Sequence, residues 1–353
     1  MFKVFKDVRA LPITLIFSAL IFLFGCVDRS SEDTESTKGK DSGEQVTLQW
    51  ASGDLGSSAQ MLVSAISSVS NDIEEDLYLS AMTTGGSVEN PRLLRDQVID
   101  LAHTTDAYWA YKAEGAFEGE EPVDLLSLFT MYANLHVFAV LEDSPIQSIE
   151  DLAGKKVHIA PPGSGAAGLS RAMLEVYDLW EGENAVEKYE LGWGEAADAL
   201  RDGTIDAMIT FFSGDIPFPT LEELLTTDNL RFLQIEESKV AEANELYPGY
   251  GPVTVLAENV EGLDENIYGL ANFSMEYSDS RLSTDHAYKI VKNTFENVEK
   301  LKGYHRLAEN LILEDALLGM PKDIPVHPGA VKYYEEKGVW DNWKDEYTVG
   351  EVD

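Results

Sequence analysis

Glycine, serine and threonine gather at three places along this chain, each behind a short apolar run and ahead of a stretch with helical spacing. The fullest is Gly163-Ser164-Gly165-Ala166, which follows Val157–Ala160 and Pro161-Pro162. A second is Thr83-Thr84-Gly85-Gly86-Ser87-Val88-Glu89-Asn90, after Leu77–Met82. The third, Ser52-Gly53-Asp54-Leu55-Gly56-Ser57-Ser58, follows Gln45–Trp50. The chemistry such turns offer is recognition of an anionic or polar head. Small residues admit a ligand close to the backbone, and the first N–H groups of a helix have no intrahelical partner. The positive end of the helix dipole then favours a carboxylate or phosphate. The hydroxyls of Ser87 and Ser164 would add hydrogen bonds worth roughly 1.5–3 kcal/mol each to a charged partner. The same serines suit plain N-capping, and one side chain can do both. Asp54 suits an amino group, a sugar hydroxyl or a cation, or equally a helix N-cap. Three helix N-termini converging on one small ligand is the arrangement these spacings suggest.

Nothing comparable points to catalysis. There is no G-x-x-x-x-G-K-[ST], no H-E-x-x-H and no G-x-S-x-G. The six histidines, His103, His136, His158, His286, His305 and His327, have no metal-ligand spacing and read as packing or surface residues. No metal and no cofactor is expected. Trp193, Phe211 and Phe212 follow strand-like runs, where they would form either an apolar wall for a ligand or core packing. The balance tips towards binding rather than turnover.

The elements that must hold these turns are short and alternate. Gln45–Trp50 precedes Ser57–Val69, where Met61, Leu62, Ala65, Ile66 and Val69 recur at helical spacing. Leu77–Met82 precedes Val88–Gln97, and Val98–Thr104 precedes Asp106–Ala113. Leu125–Met131 and Leu135–Leu141 read as two further strands. The alternation resumes with Lys156–Ala160, a helix to about Tyr177, helix Gly194–Arg201, the run Ile205–Phe212 and a helix near Thr220–Leu225. Leu230–Ile235 and Ser238–Leu246 follow. Residues 247–252, Y-P-G-Y-G-P, read as a break. Beyond it come a strand at Tyr268–Met275, a long helix at Thr284–Leu301, and helical pieces around Tyr304–Leu318 and Ala330–Lys337. Such alternation indicates an α/β fold with parallel βαβ units.

Composition sets the frame. The 353 residues suffice for two ordinary domains, and 44% hydrophobic content supports a sizeable core. Residues 1–25 read as a secretory signal: Lys3, Lys6 and Arg9 precede the apolar stretch Leu11–Phe24. It ends in Leu23-Phe24-Gly25-Cys26, a lipobox-like sequence, so Cys26, the single cysteine, is expected to carry a lipid. Residues 26–44 are polar and serine-rich and read as a flexible acidic tether. The protein is therefore expected outside the cytoplasm, held to the cell membrane by its lipid alone. The formal net charge is −37, from 63 acidic and 26 basic residues, which argues against nucleic acid and anionic lipid as partners. The acids are spread along the chain as a solvated surface suited to a saline medium, where screening tolerates the self-repulsion.

Five segments, in order, resemble one family. They are T-T-G-G-S-V-E-N-P-R-L-L-R-D at 83–96, D-A-Y-W-A-Y at 106–111 and S-I-E-D-L-A-G-K-K-V-H-I-A-P-P-G-S-G at 148–165. G-E-A-A-D-A-L-R-D-G-T-I-D-A at 194–207 and V-H-P-G-A-V-K-Y-Y-E-E-K-G at 326–338 complete the set. From about Gln45 onward the chain resembles the TAXI-type solute receptors (TRAP-associated extracytoplasmic immunogenic proteins) of tripartite ATP-independent periplasmic transporters. The resemblance implies a type II periplasmic-binding-protein fold, with two α/β lobes closing over a ligand cleft. Lobe one would be 45–140 plus 258–353, and lobe two 141–257. It implies a small-molecule solute, with glutamate or a 2-oxoglutarate-like dicarboxylate as the first class, delivered to a TRAP permease. Gly85, Gly86, Ser87 and Asn90 fit the family's second loop, Gly163, Ser164 and Gly165 its third, and Asp106, Tyr108 and Trp109 its aromatic helix start. Asp215 and Pro217 fall where the family chain crosses the cleft. The first loop departs: it reads G-D-L-G-S-S-A-Q where the family has a longer glycine and threonine run followed by tyrosines. A binding component feeding a sensor kinase, or a secreted enzyme on the same fold, are the alternatives.

Overall fold

The structure is a computed structural model that describes residues 45–161 and 164–353. The signal segment, Cys26 and the tether lie outside the described residues, as do Pro162 and Gly163. The chain begins with β1 (Val46–Ala51), α1 (Ser58–Asn71), β2 (Leu77–Met82), α2 (Glu89–Arg95), β3 (Leu101–Thr104), α3 (Ala107–Lys112) and β4 (Leu126–Leu141). Next are β5 (Lys156–His158), α4 (Gly165–Glu175), β6 (Glu187–Tyr189), α5 (Trp193–Arg201), β7 (Ala207–Ser213) and β8 (Ile216–Pro217). Then come α6 (Pro219–Thr227), β9 (Leu230–Leu233), α7 (Glu237–Leu246), β10 (Tyr250–Val255) and β11 (Ile267–Ser278). Helices α8 (Thr284–Glu296), α9 (Val298–Lys302) and α10 (Pro328–Lys337) close the chain.

The strands follow the order β2-β1-β3-β11-β4-β7-β5-β6, with β10 on β11, β8 on β7 and β9 on β4. Parallel βαβ pairing holds at both ends: β1 lies parallel between β2 and β3, and β5 parallel between β6 and β7. The middle is antiparallel instead. There β11 runs against β3, β4 and β10, and β4 against β7 and β9.

Two long strands, β4 and β11, tie the halves together, and the apolar core divides along them. One cluster draws on residues between Leu48 and Tyr132 and between Ala271 and Tyr347, with Trp50, Phe129 and Tyr277 among its largest members. Three smaller clusters draw on residues between Leu135 and Leu270. The fold is thus two-lobed α/β, each half with its own apolar core. Each fully buried leucine or phenylalanine contributes roughly 1.5–3 kcal/mol of burial, so each half has its own reason to stay folded.

Four local expectations change. Leu125–Met131 and Leu135–Leu141 are one strand rather than two. Tyr132, Ala133 and Asn134, which interrupt the apolar pattern, stay paired to Ser274, Phe273 and Asn272 of β11. Residues 250–252 are not a break but the start of β10; Pro252 is tolerated because β10 is an edge strand. The long helix expected at Thr284–Leu301 is cut at Asn297 (φ −118°, ψ 21°), whose amide donates back to Asn293 O at 2.9 Å. Residues 304–318 form short 3-10 turns rather than helix.

Candidate functional site

A cavity of about 800 Å³ opens where the two halves face each other over the β4–β11 crossing. All three glycine and serine turns reach it. Of the first, Gly53, Asp54, Gly56, Ser57 and Ser58 line the space. Gly56 is in the left-handed region (φ +85°), which turns the chain into α1. Ser57 then caps α1, its Oγ accepting from Gln60 N at 3.2 Å.

At the second turn, Gly86 (φ +89°) and Ser87 line the cavity. Ser87 does not cap α2. Its Oγ accepts from Thr105 N at 3.1 Å and shares a hydrogen bond with Thr105 Oγ1, also at 3.1 Å. At the third, Ser164, Gly165 and Ala166 line the cavity at the start of α4. Ser164 has N-cap backbone geometry, but its hydroxyl donates to Pro161 O at 2.8 Å, so α4 carries no side-chain cap. Asn272 explains Gly165: a Cβ there would stand 3.2 Å from Asn272 Nδ2.

The cavity floor was not anticipated. Tyr132, Asn134 and His136 alternate along one face of β4, and Asn272, Ser274 and Glu276 along one face of β11. Asn134 Nδ2 donates to Asn272 Oδ1 (3.1 Å), and Ser213 Oγ donates to Asn134 Oδ1 (2.7 Å). Burial pushes the Tyr132 hydroxyl up to about 12 and pulls His136 down to about 4, so both are neutral near pH 7. His136 Nδ1 faces the carbonyl of Asn134 at 2.9 Å; a carbonyl only accepts, so Nδ1 holds the proton and Nε2 is left as acceptor. Below the floor, Glu276 is fully buried between Trp50 Nε1 (2.6 Å) and His103 Nδ1 (2.9 Å). Burial raises its carboxyl above the usual range, against the pull of His103. A period-2 alternation of polar residues within otherwise apolar strands was the signal available for this floor.

One wall is aromatic. Phe211 of β7 stacks on His136 (centroids 5.1 Å apart, planes 24°) and packs at 4.5 Å on Phe218, which precedes α6. Trp193, first residue of α5, packs on both, at 5.6 and 5.1 Å. All four line the cavity. His158, held neutral by burial, supports the Trp193 ring edge-on from behind.

Five candidate residues stand off this lining. Asn90 is fully buried, its Nδ2 donating to Ser52 O and His103 O at 2.7 Å each while its Oδ1 accepts from Thr84 Oγ1 at 2.6 Å. It fastens loops behind the cavity. Phe212 is fully buried in core on the opposite face of β7 from Phe211, as strand alternation requires. Trp109 packs edge-on against Tyr108 and Tyr247. Asp106 lies beside Thr105, its carboxyl pushed up by burial, and Asp215 accepts from Asn259 Nδ2 at 2.7 Å. Among the described residues no group of three or more His, Cys, Asp or Glu is placed to hold a metal, and no helix is long and apolar enough to cross a membrane.

Several solved structures share partial similarity. The periplasmic aliphatic sulphonate binding protein SsuA from Escherichia coli is 16% identical (TM-score 0.45), covering 82% of this chain and 78% of its own. The probable amino-acid ABC transporter extracellular-binding protein ytmK from Bacillus subtilis is 15% identical (TM-score 0.45; 76% and 98%). The L-cystine solute receptor of Neisseria gonorrhoeae, in its unliganded open conformation, is 12% identical (TM-score 0.41; 79% and 97%). A family model described as the NMT1-like family matches residues 56–338. With that match running through both halves of the fold and every turn at the cavity except Gly53–Leu55, the chain belongs to the NMT1-like family.

Proposed function

We propose that this protein is an extracytoplasmic solute receptor that captures a small polar, carboxylate-bearing molecule in the cleft and hands it to a TRAP-type permease. The observation that carries the reading is the meeting of three glycine and serine turns at one cavity, although the first and the third lie more than a hundred residues apart in sequence. The first turns of α1 and α4 open onto that cavity, and their dipoles favour an anionic head there. Ser87 and the first N–H groups of α4, beside Ser164, would hold that head, with Asn134 and Asn272 beneath. Lobes at 45–140 plus 258–353 and at 141–257 belong to the same reading. The division of the apolar core supports it, with the crossings nearer Leu135 and Leu270. Closure about β4 and β11 would bury the solute, as in hinged binding proteins. Lipid at Cys26 would keep the receptor beside its permease, and the TAXI resemblance of the five segments supports that partner. A receptor binds saturably and returns its ligand intact.

The test is calorimetry with Ser164→Trp. The indole would fill the third corner of the cavity while leaving the core untouched, so binding is expected to be lost at an unchanged melting temperature. Unchanged affinity would remove that corner from the site, and turnover of a bound compound would replace the receptor reading with an enzymatic one.

A further inference from the structure

The charges around the cavity do not match a dicarboxylate. Among its lining residues the one Lys or Arg is Arg306, which lies exposed with its Nε 3.9 Å from Glu309. Two acids, Asp54 and Glu222, line the same space; of its three histidines, burial holds His136 neutral and lowers His305, and His103 is taken by Glu276 at 2.9 Å. A second carboxylate drawn in from water would meet no unpaired buried cation, and an unpaired charge taken out of water is costly. One anionic head has a place at the Ser87 and Ser164 corners. The opposite side of the cavity offers ring faces. Trp193, Phe211 and Phe218 are each only half-buried and pack within 4.5–5.6 Å of one another, with His136 continuing the stack. Four separate stretches of the chain contribute these rings, and His158 supports Trp193 from behind. Core aromatics would be sealed away from solvent; these face a space of about 800 Å³, towards the upper end of the range for drug-sized ligands.

The geometry points to a solute that carries a flat ring or comparable apolar body against the Trp193–Phe211–Phe218 wall and a single anionic head at the Ser87 and Ser164 corners. This rests on the receptor reading and replaces the dicarboxylate class that the TAXI resemblance implies. Stacking on an indole is favoured by the quadrupole of the ring and by the area it removes from water.

Titration calorimetry and tryptophan fluorescence on the purified full-length protein test it with two probes. Indole-3-acetate has a ring and one carboxylate; 2-oxoglutarate has two carboxylates and no ring. The wild type is expected to bind indole-3-acetate at least tenfold more tightly than 2-oxoglutarate. Trp193→Ala should cost roughly tenfold for the ring probe, with little effect on the other. Phe211→Leu, which keeps most of the volume, should show the same bias and guards against a Trp193 variant that fails to fold. Preference for 2-oxoglutarate, with Trp193→Ala neutral, overturns the inference while leaving the receptor reading standing. Binding of neither probe overturns the inference as well. If no solute co-purifies with the protein either, the receptor reading falls with it.

Discussion

Asn90 separates a ligand contact from a structural staple, because the two roles predict opposite results in the unliganded protein. Its amide is fully buried and donates to two backbone carbonyls, Ser52 O and His103 O, at 2.7 Å each. Those carbonyls belong to the segments that follow β1 and form β3, so one side chain joins the first turn to the cavity floor. Asn90→Ala removes both donors and leaves two buried acceptors without partners. Each orphaned group costs roughly 1–3 kcal/mol, for a total of about 2–6 kcal/mol. Domains of 150–250 residues lose about 2–4 °C per kcal/mol, so even the lower bound means a fall of roughly 4 °C in the melting temperature of the unliganded protein. Asn90→Asp is expected to do no better. It keeps an acceptor for Thr84 but turns oxygens towards two carbonyl oxygens, which forces the acid to remain protonated. Differential scanning calorimetry without added solute is the assay. An unliganded melting temperature within about 1 °C of wild type, combined with lost affinity, would make Asn90 a ligand contact and refute the staple.

Three further outcomes are expected. His136 sits at about 4 when folded against about 6.5 when unfolded, so the unfolded chain binds its proton first as pH falls. Its contribution to stability should be whole above about pH 6.5 and lost progressively down to about pH 4; urea unfolding at pH 7.5 and 5 should show a smaller pH effect in His136→Gln than in wild type, and equal effects would contradict the assignment. Gly319→Ala should destabilise without changing affinity, since residue 319 is at φ +73° and a Cβ would stand 2.2 Å from the Phe273 ring; an unchanged melting temperature would mean that the loop moves aside at little cost. A net charge of −37 should make the melting temperature rise with NaCl as self-repulsion is screened, and a fall on adding salt would show that attractive ion pairs dominate.

The fold was legible where a signal is local. The three turns could be found because a glycine or serine cluster must interrupt an apolar run before a helix can start, and each interruption spans only a few residues. The ends of the sheet followed from strand–helix alternation. Its centre did not, because antiparallel pairing of β11 with β4 joins Asn272 to Asn134 across 138 positions, and no periodicity within one segment specifies that partner. Asn297 shows the converse limit. A helical pattern continued through it, but a side chain able to bond its own backbone competed with the next helical turn.

For the site, alternation supplied half of each answer. Phe211 and Phe212 are adjacent on a strand, so only one of them can face the cleft, and no pattern inside β7 says which. The register with β4 decides it: Phe211 lies opposite His136 and Phe212 opposite Leu135, so the ring that stacks on the buried imidazole is the one left facing the cavity. His136 gives the same lesson from the other strand. As an isolated histidine in L-H-V-F-A-V-L it reads as packing, and it is packed. Yet its neighbours at two-residue spacing, Tyr132 and Asn134, are polar too, and three polar residues on one face of a buried strand require a polar space or partners opposite them. Asn272, Ser274 and Glu276 repeat the pattern on β11, so the two strands that join the halves of the protein also form the polar floor between them.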